Sequence, residues 1–116
     1  MKRILSCFAI VGATWIVAPT AQAASFDCAN LAPLAVDERT ICATPDLNEA
    51  DVKMSTMYDL ISGLFAMGTR ADMEDRQKQW LEHRATCGDD VACLRAAYDQ
   101  RIKQLQEIYT QIPKPL

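Results

Sequence analysis

Two cysteines lie close together in the stretch QWLEHRATCGDDVACL, at Cys87 and Cys93, and the turn sequence Gly-Asp-Asp lies between them. A histidine, His83, precedes them by one helical turn. Residues of these types occur at metal centres, at redox centres, at nucleophiles with their bases, and at disulfides that join two helices. The compartment decides among these, because disulfides persist in oxidising compartments and are rare where thiols are kept reduced.

The N-terminus has the pattern of a secretory signal. Lys2 and Arg3 precede an apolar run of about 14 residues, and Ala21-Gln22-Ala23 matches an A-x-A cleavage site. A helix that crosses a bilayer needs roughly 20 apolar residues, so this run is too short for a membrane anchor. We therefore predict a signal peptide at residues 1–23, no membrane anchor after its cleavage, and one periplasmic or secreted domain at residues 24–116.

The charge of the chain is acidic. The formal net charge is −3, and loss of the two positive charges of Lys2 and Arg3 with the signal would bring it to −5. Nucleic acids and anionic membranes bind basic surfaces, so the composition argues against both as partners. An acidic surface is compatible with a basic protein partner.

Four cysteines remain after the predicted cleavage: Cys28, Cys42, Cys87 and Cys93. An even number in a small exported domain is typical of disulfides, and we favour the pairs 28–42 and 87–93 because each pair flanks one short segment. A zinc site would need closely spaced pairs of the C-x2-C type. The sequence contains neither C-x-x-C nor C-x-x-C-H, so we expect no redox centre, no covalent haem and no other cofactor.

The residue types that could catalyse a reaction are better explained by structural or solvent-exposed roles. His83 lies between Glu82 and Arg84 on a polar helix face, where a solvated histidine is typical. A cysteine nucleophile needs a free thiol beside a base, and the predicted disulfides would consume all four thiols. The acidic clusters at residues 72–75 and 89–90 are typical of a solvated face. We expect a binding protein rather than an enzyme, and an unrecognised pair of carboxylates is the remaining enzymatic alternative.

Helical periodicity runs through the N-terminal half of the predicted domain. The pattern predicts a short helix at residues 35–43. Thr44 then has the residue type of an N-cap, and Pro45 suits the first position of a second helix. Apolar residues recur with spacings of three and four after Pro45, which predicts that this helix ends near Gly68.

The C-terminal half predicts two more helices. Thr69 suits the cap of a third helix that reaches about Thr86, and Gly88 suits the left-handed residue after it. Asp89 or Asp90 would cap a fourth helix, which the two C-terminal prolines end. The prediction is an all-α fold, a small antiparallel bundle of one short and three longer helices stapled by two disulfides.

Two pairs of aromatic and arginine residues lie on the third and fourth predicted helices: Trp80 with Arg84, and Tyr98 with Arg101. Across a disulfide-closed hairpin they could face each other. Such side chains are enriched at interface hot spots, so one interpretation is a patch that binds a protein partner. The other is that Trp80 and Tyr98 belong to the core, with the arginines bonded to carboxylates or to helix-end carbonyls.

An ordered series of residues runs through the predicted domain, from Phe26-Asp27-Cys28 to Cys93-Leu94-x-x-x-Tyr98-x-x-Arg101-Ile102. This series resembles a known family of small exported bacterial proteins, the LprI-like lysozyme-inhibitor N-terminal domain. The resemblance covers nearly the whole predicted domain. One departure is Ala35, because the family usually has Thr or Ser there to form a capping box with the residue that matches Glu38. We therefore expect a weaker cap on the first helix. The matching segments are Phe26-Asp27-Cys28, Glu38-x-x-Ile41-Cys42, Leu47-x-x-Ala50-Asp51, Tyr58, Gln77-x-x-Trp80-Leu81-x-x-Arg84-x-x-Cys87 and Cys93-Leu94-x-x-x-Tyr98-x-x-Arg101-Ile102.

The resemblance implies an inhibitor that occludes a lysozyme-type enzyme without chemistry of its own. Lysozymes are typically basic and cleave with two carboxylates in a cleft, so an acidic and rigid domain could be steered to one. The candidate contacts are the turn Gly88-Asp89-Asp90 and Arg84. The alternative function is an envelope scaffold or interaction module that does not inhibit lysozyme and binds its partner through the exposed face of the third helix.

Overall fold

The structure, a computed structural model, describes residues 25–114, so the predicted signal peptide lies outside the described residues. Four helices follow one another: α1 (Val36–Ala43), α2 (Pro45–Ser62), α3 (Met67–Thr86) and α4 (Val91–Gln111). Between residues 25 and 114 the chain forms no strand. The predicted all-α fold, with one short helix and three longer ones, is confirmed. None of the helices in this range is long and apolar enough to cross a membrane.

The core lies where the apolar faces of the four helices meet. Helix α4 packs mainly against α2, α1 contacts the other three helices, and α3 contacts α4 less extensively than α2 does. Apolar residues at helical spacing form this core, as expected for amphipathic helices. Its largest members are Ile41, Leu47, Met54, Ile61, Met73, Trp80, Leu94, Tyr98 and Leu105.

Both disulfides form between neighbours in sequence. Cys28 bonds to Cys42 and Cys87 to Cys93, each with a Cα–Cα distance of 5.6 Å. The favoured pairing is therefore confirmed. The first disulfide ties the N-terminal segment to α1, and the second joins the end of α3 to the first turn of α4.

The turn between α3 and α4 has the predicted local structure. Gly88 has a φ of +57°, the left-handed conformation that glycine adopts without a steric penalty. Of the two candidate caps, Asp90 is the N-cap, since its Oδ1 accepts a hydrogen bond from the Cys93 backbone N–H at 3.1 Å.

Two N-terminal caps are weaker than ideal. Glu38 Oε2 accepts a hydrogen bond from the Ala35 N–H at 3.0 Å, but the alanine methyl group cannot return one, so only half of a capping box forms. Thr44 does precede α2, yet its hydroxyl donates back to the Thr40 carbonyl at 2.8 Å instead of capping. Pro45 begins α2 as predicted.

The predicted boundary between α2 and α3 is wrong. Helix α2 ends at Ser62 rather than near Gly68, and α3 begins at Met67 without a Thr69 cap. Two hydrogen bonds from the next helix accompany this break: Arg70 donates through Nε to the Ser62 carbonyl and through Nη2 to the Phe65 carbonyl, each at 3.2 Å. These bonds satisfy carbonyls that a continuing helix would have used.

Candidate functional site

The four aromatic and arginine residues of the predicted patch lie in the interior. The exposed fraction is 8% for Trp80, 4% for Arg84, 0% for Tyr98 and 3% for Arg101. A partner cannot reach Tyr98 unless the fold opens. Of the two interpretations of these residues, the buried arrangement matches the core with bonded arginines.

The two aromatic rings join α3 to α4. Trp80 and Tyr98 pack edge to face, with their centroids 5.2 Å apart and an angle of 65° between the ring planes. The indole Nε1 of Trp80 donates a hydrogen bond to the Ala97 carbonyl at 3.1 Å. The indole nitrogen therefore has its hydrogen-bond partner inside the protein.

A buried polar network, here called the Arg84 cluster, consists of Arg84, Asp37, Asp51 and Tyr98. Arg84 Nε donates to Asp37 Oδ2 at 2.9 Å, and Arg84 Nη1 donates to the Tyr98 hydroxyl at 3.2 Å. The Tyr98 hydroxyl in turn donates to Asp51 Oδ1 at 2.7 Å, and that oxygen lies 3.5 Å from Arg84 Nη1. Each of the four helices supplies one member of this cluster.

The surroundings of the Arg84 cluster keep Arg84 charged and Tyr98 neutral. Burial alone would lower the pKa of Arg84, but Tyr98 and Asp37 outweigh it and the pKa lies above its ordinary value. Burial also raises the pKa of Tyr98; Arg84 opposes that shift and Asp51 adds to it. Tyr98 therefore remains a neutral phenol that donates to the Asp51 carboxylate.

The N-terminal segment closes over the Arg84 cluster. The Ser25 backbone N–H donates to Asp51 Oδ2 at 2.6 Å, and the Phe26 ring centroid lies 5.6 Å from the Arg84 guanidinium carbon. Every buried side-chain nitrogen and oxygen of the described residues has a hydrogen-bond partner. The carboxylates and the guanidinium of this cluster are thus used in holding the helices together.

A groove of about 710 Å³ opens between α3 and α4. Its lining is mostly polar, with four glutamines among the side chains. The apolar and charged members are Trp80, Ile108, Arg76, His83, Arg101 and Glu107.

Arg101 is the buried cation of this groove. Its Nε donates to Gln77 Oε1 at 2.9 Å, and its Nη1 donates to Gln104 Oε1 at 3.3 Å. Among residues 25–114 no carboxylate oxygen lies within 4.0 Å of its guanidinium. Burial lowers the pKa of Arg101; Tyr58 partly offsets this effect, and the positive charge of Arg76 adds to it.

The turn Gly88-Asp89-Asp90, here called the acidic turn, is the exposed part of the predicted contact region. Both aspartates are exposed, while Cys87 beside them is buried. The Asp90 backbone N–H donates to the Cys87 carbonyl at 3.1 Å, and the disulfide closes the turn from the other side. Two carboxylates are therefore presented on a short and doubly fixed loop.

Sequence reasoning missed the partners of Arg84. Asp37 and Asp51 are both buried, and both lie in the register of apolar positions: Asp37 is four residues before Ile41, and Asp51 lies four after Leu47 and three before Met54. A charged residue in such a register predicts a buried ion pair, because an unpaired buried charge is strongly unfavourable. That signal was available in the sequence.

No family model matches the chain, and no curated protein and no solved structure matches it. The resemblance to the LprI-like family therefore depends on the sequence pattern alone. Within the described part of the chain, no three His, Cys, Asp or Glu side chains form a group that could hold a metal ion.

Proposed function

We propose that the protein is an exported binding protein that inhibits a lysozyme-type enzyme by occluding its cleft. The observation that carries this proposal is the acidic turn, an exposed pair of carboxylates on a rigid base. Identification of the enzyme as a lysozyme comes from the sequence resemblance to the LprI-like family. Inhibition would be a matter of binding, with no reaction catalysed by this chain.

Rigidity of the acidic turn supports a role in occlusion. The Cys87–Cys93 disulfide and the Asp90 cap fix the turn itself. Arg84, one turn before Cys87, fixes the end of α3 through the Arg84 cluster. A loop already ordered in its bound form loses less conformational entropy on binding, so a fixed turn favours affinity.

Charge supports a basic partner. The formal net charge of the chain is −3, and two of its carboxylates are exposed on the acidic turn. Complementary charge accelerates association and weakens with salt. Arg84, the other candidate contact, is buried and bonded, so we assign it to support of the turn and leave it out of the proposed contact surface.

A periplasmic or secreted location is part of the same proposal. The two disulfides are compatible with an oxidising compartment, and the sequence predicts a cleaved signal at residues 1–23. An inhibitor in such a compartment would meet enzymes that act on the cell wall.

The test is hydrolysis of cell-wall substrate by several lysozyme types, titrated with the oxidised protein at low and at physiological salt. We expect saturating inhibition at a ratio near one to one, weaker at higher salt. The double variant Asp89→Asn/Asp90→Asn removes both charges of the acidic turn, and asparagine at position 90 still caps a helix. We expect this variant to inhibit less well.

The matched control is Asp72→Asn/Asp75→Asn, which removes two exposed charges from α3 at a distance from the acidic turn. It should keep most of the inhibition. Absence of inhibition against every lysozyme type would contradict the proposal. An equal loss in both double variants would show that only the overall charge matters, and not the acidic turn.

A second candidate function, an envelope interaction module without lysozyme inhibition, is favoured by a different surface. Leu60, Leu64 and Met67 protrude at the turn from α2 to α3, and Met67 is 85% exposed. Arg70 bonds to two backbone carbonyls of this turn, those of Ser62 and Phe65. Exposed apolar residues in one patch are typical of protein contacts. If this function is correct, the protein will not inhibit lysozyme and will crosslink to an envelope protein. The double variant Leu64→Ser/Met67→Ser should lose that crosslink.

A further inference from the structure

The groove between α3 and α4 contains a buried positive charge that has no counter-ion among residues 25–114. Arg101 is 3% exposed, yet its two hydrogen bonds go to neutral amide oxygens of Gln77 and Gln104. A buried charge without an opposite charge is unfavourable, and a guanidinium binds a carboxylate more strongly than a neutral oxygen, because charge-assisted hydrogen bonds are stronger than neutral ones. The site therefore has the charge of a carboxylate receptor.

The unused nitrogen of Arg101 faces the groove. Nε and Nη1 have protein partners, whereas Nη2 has none among the described residues. Every buried side-chain nitrogen and oxygen in this part of the chain is hydrogen-bonded, so an unbonded Nη2 must reach open space. Since Arg101 lines the groove, that open space is the groove.

A second cation reinforces the first. Arg76 lines the same groove from α3 and lies close enough for its charge to lower the pKa of Arg101 further, after the larger effect of burial. The acidic member of the lining, Glu107, lies six residues beyond Arg101 on α4, about 9 Å along the helix axis. Two arginines therefore line this groove in a protein that is acidic as a whole.

The rest of the lining suits hydroxyl groups. Four glutamines line the groove as well, and each amide can both donate and accept, as a sugar hydroxyl does. Trp80 and Ile108 are the two apolar side chains of the lining, which is little for a peptide that would have to bury its own apolar groups. The volume of about 710 Å³ lies in the range of small-molecule sites.

We propose that this groove binds an acidic sugar, with the carboxylate held by Arg101 and Arg76 and the hydroxyls held by the glutamines. Arg101 would be the main anchor, because it is fixed by Gln77 and Gln104 before the ligand arrives. This site is independent of the acidic turn and of lysozyme inhibition.

The test is isothermal titration calorimetry of the oxidised protein with a trimer of galacturonic acid. The matched ligand is the methyl ester of the same trimer, which keeps the size and hydroxyls but removes the charges. We expect saturable binding at one site for the acid. Affinity for the ester should be lower by at least about tenfold, as expected for loss of a charged hydrogen bond.

Variants locate the binding. Arg101→Gln removes the buried charge, and we expect a loss of about tenfold or more in affinity, with the fold checked by circular dichroism. Arg76→Gln is exposed and cannot disturb the core, and it should weaken binding severalfold. The control Arg95→Gln removes an exposed charge on the same helix, where Arg95 bonds to Asp46, and should leave the affinity unchanged.

Three results would overturn the binding of a carboxylate in this groove. One is no saturable binding of the acid at millimolar concentration. Another is equal affinity for acid and ester, which would remove the role of the carboxylate. The last is an equal effect of Arg76→Gln, Arg101→Gln and Arg95→Gln, which would indicate non-specific charge. Tighter binding of an acidic tripeptide than of the trimer would overturn the assignment to a sugar.

Discussion

Arg84 and Arg101 are buried to nearly the same extent, but their surroundings differ. Arg84 has oxygens of three carboxylates, those of Asp37, Glu38 and Asp51, within 4.0 Å of its guanidinium. Arg101 is bonded to two amide oxygens instead. Burial alone therefore does not define what an arginine does in this protein; its partners do.

The connections made by the two arginines differ as well. The Arg84 cluster contains one residue from each helix and holds the bundle together. Arg101 links α4 to α3 only through Gln77, since Gln104 lies on its own helix. Loss of Arg84 should therefore destabilise the fold, whereas loss of Arg101 should mainly weaken the proposed binding of a ligand.

The largest expected effect comes from Arg84→Met. This variant leaves Asp37 and Asp51 buried without their cation, which for a buried ion pair costs about 3–5 kcal/mol in the free energy of unfolding. Urea denaturation followed by circular dichroism measures it. If the variant does not fold, Asp37→Asn gives the milder version of the same loss. A change below about 1 kcal/mol would mean that the cluster does not hold the helices together.

The two disulfides can be compared in the same way, by the stability that each contributes to its half of the domain. Loop closure predicts a loss of about 3 kcal/mol for Cys28→Ser/Cys42→Ser and about 2 kcal/mol for Cys87→Ser/Cys93→Ser, since the sequence separations are 14 and 6 residues. Urea denaturation of both variants would measure these losses. Equal stability of wild type before and after reduction would contradict a stabilising role for either bond.

Alkaline pH isolates the phenol of the Arg84 cluster. The folded pKa of Tyr98 is raised above its usual value of 10.0, so above pH 10 the unfolded chain holds one proton fewer than the folded protein at this group. Its contribution to stability is complete below pH 10 and is lost as the pH rises toward the folded pKa, by about 1.4 kcal/mol per pH unit. We expect Tyr98→Phe to unfold with a shallower dependence on pH above 10 than wild type. Identical slopes would contradict a raised pKa at this phenol.

The smallest expected effect on stability comes from Arg101→Met. Removal of a desolvated charge that has no carboxylate partner in the described part of the chain offsets the loss of two hydrogen bonds, so we expect a change within about 1 kcal/mol. The same urea denaturation measures it, with the exposed Arg95→Met as control. A loss as large as that of Arg84→Met would erase the difference between the two arginines.

Local signals in the sequence predicted much of the fold. The helix order, both disulfides, the left-handed Gly88 and the Asp90 cap all depend on residues that are near one another in the chain, and each is confirmed. At the boundary between α2 and α3, where the prediction failed, Arg70 bonds to carbonyls five and eight residues earlier. Propensity and capping rules contain no information on such a bond.

The site was harder to predict for the same reason. The types of Trp80, Arg84, Tyr98 and Arg101 drew attention to the right helices, but the sequence left their burial open. Arg84 and Tyr98 each find a carboxylate 47 residues away in the chain. The groove between α3 and α4 is a property of helix packing and has no sequence pattern of its own.

The most direct test of the difference between the two arginines is a nuclear magnetic resonance titration of the arginine side-chain Nε–H signals with the galacturonic acid trimer. We expect the Arg101 signal to shift and saturate, while the Arg84 signal stays in place because the ligand cannot reach its cluster. A stationary Arg101 signal, or an Arg84 signal that shifts by as much, would contradict the division into a structural and a ligand-binding arginine.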